Sequence, residues 1–202
     1  MSEVLLEAAI GTVISIIIMI VHELSKSIVY KIIRCRSGSV QKYSHSIFEV
    51  WRYIDPVGVI LGVISYAPVS KPHMFRIRDK KTNLMLGITG FVVLILIFTG
   101  SITVLKCVYG GNEGVTLALN SGIYSRIIVL LWKYTAILSF GMFIVNLFPV
   151  STFDMGLVIA GISARHYLQI IKSDSVIKMI LLITLLLDMI QYGGMRLLNF
   201  II

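Results

Sequence analysis

Long runs of Ile, Val, Leu and Met alternate with short basic stretches along this chain of 202 residues. A helix needs about 20 apolar residues to cross roughly 30 Å of hydrocarbon. Four runs reach or approach that length, at about 4–33, 84–108, 124–148 and 176–192. Two shorter apolar pieces, at about 56–69 and 156–168, read as short or re-entrant elements, the first punctuated by Gly58, Gly62 and Pro68. The pattern predicts an all-α integral membrane protein, a polytopic helix bundle with four clear spans plus one or two short or re-entrant elements. One membrane domain covers 1–202.

Composition agrees with the pattern: 57% of residues are hydrophobic and 14% charged, and mean hydropathy is +0.92, values outside the range of soluble domains. The first apolar run follows Ser2 and Glu3 without a basic segment, and is read as a retained helix rather than a leader. Cys35 and Cys107 form no CxxC pattern and suggest no disulfide framework. The net charge of +8 comes from Lys and Arg at the ends of apolar runs, so the lipid bilayer is the expected partner and nucleic acid is not.

The same charges orient the chain. Lys71, Arg76, Arg78, Lys80 and Lys81 crowd one connection, whereas 109–123 holds no Lys or Arg, which places the first in the cytoplasm and the second outside. Lys31, Arg34, Arg36, Lys42 and Arg52 ask for the cytoplasm too. If both basic connections lie there, the 56–69 piece enters and leaves on one side; if it crosses, one connection breaks the rule. Gly110, Gly111 and Gly114 read as an external turn-rich loop.

Ionisable groups inside such runs are costly and mark function. The first run contains His22-Glu23-Leu24-Ser25-Lys26. In HExxH, two imidazoles one helical turn apart can bind one zinc ion, with the glutamate beside the metal-bound water as general base; here the second ligand position is a lysine. Far along the chain, Asn146-Leu-Phe-Pro149-Val-Ser-Thr-Phe153-Asp154-Met155-Gly156 breaks the third run and sets Asp154 just beyond it. Under the charge-derived topology the two polar groups converge on one depth.

These residues resemble the site-2 protease family of intramembrane zinc metalloproteases, in which HExxH on one helix meets N-x-x-P-x-x-x-L-D-G on a later one. Tyr53-Ile-Asp-Pro-Val-Gly58, Tyr66-Ala-Pro-Val-Ser70 and Gly87-Ile-Thr-Gly-Phe91 are similar to further motifs of its compact bacterial branch, in the same order. The resemblance implies a site-2-protease-like core in a bacterial cytoplasmic membrane, with its site on the cytoplasmic side. It makes His22 and Asp154 metal ligands, Glu23 the catalytic base and Asn146 a substrate-binding residue. Phe153 and Met155 depart from the family pattern, and Lys26 stands in place of the missing second histidine.

A lysine ammonium has no lone pair, and zinc sites are ordinarily built from Cys, His and carboxylates. Lys26 in its cationic form is expected to pair with Asp154 or Glu23 and to replace the metal as counter-charge. His45, His73, His166 and Cys35 are the other side chains that a metal could recruit, each with an ordinary interfacial or loop role as its simpler account. The resulting reading is a catalytically impaired or non-proteolytic homologue that binds a membrane-protein partner, with no cofactor. The alternative is an active zinc enzyme cleaving a transmembrane substrate; a transporter or channel component, with Glu7 and Asp188 on a polar path, is a third class.

Overall fold

The computed structural model describes residues 3–36, 49–72 and 79–201, and among them there is no strand. The helices are α1 (Glu3–Arg36), α2 (Pro56–Ser65), α3 (Lys80–Tyr109), α4 (Asn112–Ser121), α5 (Ile123–Asn146), α6 (Asp154–Ile162), α7 (Ala164–Leu186) and α8 (Met189–Ile201), with a 3-10 turn at Val50–Tyr53. Three helices, α1, α3 and α5, are long and apolar enough to cross a membrane. They pack through Ile10, Ile14 and Ile18 of α1, Leu94 of α3, and Tyr134, Leu138 and Met142 of α5. Outward-facing Val13, Ile17, Met85, Val92 and Ile128 remain exposed, as lipid-facing side chains do. The fold is that of a helical membrane protein.

Between apolar helices in lipid, water exclusion contributes little, so close packing and polar bonds hold the bundle. The 56–69 piece shows both. Asp55 caps α2, its side chain accepting the Val57 N–H at 3.1 Å, and Pro56 occupies the first turn, where its missing N–H costs nothing. Tyr66 ends α2 in the left-handed conformation (φ 52°). The chain then returns extended until the Lys71 N–H donates to the Tyr53 carbonyl at 3.1 Å. The two ends of the hairpin therefore meet. Its return arm needs glycine: a side chain at Gly58 would strike the Val69 carbonyl, and one at Gly141 of α5 would strike the Tyr66 carbonyl.

The C-terminal third departs from the sequence pattern. The expected 156–168 element is two pieces, α6 and the start of α7, because Ser163 between them caps α7 by accepting the His166 N–H at 3.4 Å. The expected fourth span at 176–192 is also not one helix. Arg165, Lys172, Asp174 and Lys178 occupy the first two-thirds of α7. The backbone then turns at Asp188 (φ 52°) before α8 begins, so three rather than four described helices qualify as spans. Asp188 is exposed at that turn. Beyond it α8 runs back along α5, with Gly194 against Phe140, Leu198 against Ala136 and Ile137, and the Asn112 side-chain N–H donating to the Asn199 carbonyl at 3.0 Å. The glycine-rich 110–114 stretch supplies two left-handed residues, Gly110 and Gly111, and then opens α4 instead of continuing as a loop.

Gly141→Ala is expected to destabilise the protein by about 1–3 kcal/mol by overpacking α5 against the hairpin tip. Gly100→Ala, in open space on α3, should be neutral or stabilising by up to about 1 kcal/mol. Denaturant unfolding in micelles checks both, and equal effects at the two positions would contradict this packing.

Candidate functional site

On α1, a polar stripe replaces the apolar inner face in the half nearer the basic end. His22, Glu23, Lys26 and Ser27 recur at spacings of three and four, so they share one side of the helix, and all four are buried. Each has a partner. Lys26 Nζ lies 2.6 Å from Glu23 Oε1 and 2.9 Å from Asp154 Oδ1. His22 Nε2 lies 2.7 Å from Asp154 Oδ2, and its Nδ1 lies 3.2 Å from Glu23 Oε1. The Ser70 hydroxyl donates to Glu23 Oε1 at 2.7 Å, and the Tyr53 hydroxyl donates to Ser27 at 3.1 Å.

Carboxylates only accept hydrogen bonds. Both ring contacts of His22 are therefore satisfied together when both nitrogens carry hydrogen, the imidazolium form. The quartet then holds two cations and two anions and is neutral as a whole, which is how charge is carried at this depth with least cost.

Asp154 reaches the cluster because α6 is pressed onto α3. Gly90 has no side chain where the Asp154 carboxyl lies, and a Cβ there would overlap it. A Cβ at Gly87 would meet the Asp154 carbonyl and Val158. Asn146, the last residue of α5, joins the helix break: its Nδ2 donates to the Met142 carbonyl at 3.0 Å, and its Oδ1 faces the Asp154 N–H at 3.5 Å. The loop before α6 is clamped from α7, where Asp174 accepts the Ser151 N–H at 2.8 Å and the Tyr167 hydroxyl donates to the Ser151 carbonyl at 3.3 Å. Burial works against the Asp174 charge, but hydrogen bonds from Lys178 and the Ser151 N–H hold its carboxyl below the usual range.

A cavity of about 280 Å³ opens between α2, the hairpin's return arm and α7. Val57, Leu61, Val69, Leu181 and Leu185 make it apolar, and Ser70 forms part of its wall. Ser70 thus borders the cavity and also bonds Glu23 of the quartet. Asn146 is buried and does not line it.

The family resemblance implies zinc at this place, and the residues do not fit one. Lys26 fills the space between the two acids with a positive group that has no lone pair. Both oxygens of Asp154 and both nitrogens of His22 are already engaged. Among the described residues no three His, Cys, Asp or Glu side chains are placed to hold a metal. His166 is exposed at the start of α7 and Cys35 is exposed near the end of α1; His45 and His73 lie outside the described residues. Glu7 belongs to a separate contact, receiving the Tyr134 hydroxyl at 3.3 Å.

Sequence reasoning brought His22, Glu23, Lys26, Asn146 and Asp154 forward, and all five meet at this site. It assigned nothing to Ser70, Gly90 or Asp174. Gly87 and Gly90 stand three apart, not at the four-residue spacing that marks a close helix approach, and Ser70 arrives only through the path of the hairpin. Compared with known proteins, the sequence matches no family model and no curated protein, and the fold matches no solved structure.

Lys26→Met, which leaves the acids without their ammonium, is expected to cost about 3–5 kcal/mol. Adding Asp154→Asn should cost less than the sum of the single changes by about 0.5–3 kcal/mol. Unfolding of the four proteins in one detergent measures this, and strict additivity would contradict direct pairing.

Proposed function

We propose that this chain is a site-2-protease-like membrane protein without peptidase chemistry, which binds a membrane-protein partner. The observation that carries the reading is the Lys26 ammonium held at 2.6 Å from Glu23 and 2.9 Å from Asp154. A base must be free to take a proton; Glu23 Oε1 instead accepts from Lys26 and Ser70. What survives of a protease architecture is then its cleft, and the apolar cavity beside Ser70 is suited to a transmembrane or extended segment of a partner.

The basic ends of α1, α3 and α7 support an orientation in which the quartet lies toward the cytoplasm, and the resemblance to the compact bacterial branch supports a bacterial cytoplasmic membrane. An active zinc metalloprotease is the competing reading, favoured by the meeting of His22, Glu23 and Asp154 in one cluster.

A photo-crosslinking residue at Leu182, on the cavity wall and 53% exposed, separates the two in native membranes. Binding without cleavage yields an adduct with a membrane protein of full length, in the unmodified background and with Glu23→Gln alike. A truncated adduct that becomes full length with Glu23→Gln would establish proteolysis and end the proposal.

A further inference from the structure

A second cavity, of about 420 Å³, lies between α6 and α7 on the side away from the quartet. Pro149, Ile159, Ile162 and Ile170 form its apolar walls, and His166 and Gln169 stand at its polar edge. On α7, Arg165, Gln169 and Lys172 fall at i, i+4 and i+7 and so share one stripe. Gln169 belongs to the cavity wall, and the two cations, which do not line it, stand on the adjoining helical stripe just beyond that edge; both are exposed.

The α6 helix, which forms one wall of the cavity, lies against the first turn of a span. A Cβ at Gly161 of α6 would touch the Lys80 carbonyl and Leu84, and Lys80 is the first residue of the α3 span. Lys80 and Lys81 are exposed there too. The acids nearby are already occupied. Asp79 accepts the Lys81 and Thr82 N–H groups and the Thr82 hydroxyl, Asp174 holds Ser151 and Lys178, and Asp154 is inside the quartet. Among the described residues neither Arg165 nor Lys172 makes an ion pair. The α7 N-terminus adds its own positive end to the same rim.

An apolar slot with a cationic rim at the edge of a span is complementary to an amphiphile with a negative head. We propose that the cavity between α6 and α7 binds one anionic glycerophospholipid, an acyl chain lying against Ile159, Ile162 and Ile170 and the phosphate between Arg165 and Lys172. A zwitterionic lipid offers the same chain and phosphate but brings a cation of its own, so net charge sets the preference. The site involves no residue of the quartet and is independent of the reading of that cluster.

The test uses the full chain in neutral-detergent micelles, with phosphatidylglycerol or phosphatidylcholine of identical acyl chains added at equal concentration. Native mass spectrometry counts the retained lipid and thermal unfolding reports its effect. One phosphatidylglycerol per chain should be retained in preference to phosphatidylcholine and should raise the unfolding temperature. A basic residue near a membrane surface favours anionic lipid by about five-fold, so Arg165→Gln with Lys172→Gln should reduce the preference by about 25-fold. Lys106→Gln, on the last turn of α3, should leave it unchanged, and Ile162→Trp should exclude both lipids by filling the slot. Equal retention of the two lipids, a preference that survives the double substitution, or an equal thermal shift from inorganic phosphate alone would each overturn the proposal.

Discussion

Two carboxylates buried at membrane depth demand counter-charge, and in this protein the Lys26 ammonium supplies it together with the His22 ring. Its contact at 2.6 Å is with Glu23 on the same helix, and its contact at 2.9 Å joins α1 to Asp154 at the start of α6, which the chain reaches 128 residues later. Removing the ammonium would leave two buried anions with only the His22 ring and the Ser70 hydroxyl of the partners described above. The arrangement is therefore as much a structural joint as a site. A divalent metal held by the same acids would need a further lone-pair donor, and the ammonium at position 26 offers none.

The rest of the bundle is shaped to permit that joint. Gly90 makes room on α3 for the Asp154 carboxyl. Asn146 secures the break from which α6 departs, and Asp174 fixes the preceding loop from α7. The hairpin built on α2 closes the other side, bringing Ser70 to Glu23 while its outer surface faces the apolar cavity. Ser70 therefore belongs both to the cavity wall and to the hydrogen bonds of the quartet.

How far the sequence foretells this depends on what each feature requires. The runs at 4–33, 84–108 and 124–148 are legible as α1, α3 and α5 because a bilayer-length apolar helix depends on composition over many residues, and local irregularities average out. The same averaging conceals the turn at Asp188, where one left-handed residue splits a run that hydropathy alone joins. Ser163 is similar: a single capping hydroxyl divides the 156–168 piece. At the site, His22, Glu23 and Lys26 are legible because helical spacing places them on one face. Asp154 could be paired with them only by combining charge-derived topology with a family resemblance. Ser70 and Gly90 stay hidden because their roles depend on how the hairpin returns and how closely α6 meets α3, distances that no spacing rule encodes.

The most direct measurement is the zinc content of gently purified, chelator-free protein beside that of Lys26→His, by elemental analysis. Replacement of metal by ammonium predicts that the unmodified chain carries far less than one zinc per molecule. A neutral imidazole at position 26 supplies the missing donor, so the variant should gain zinc. Stoichiometric zinc in the unmodified protein, or no difference between the two, would contradict the account.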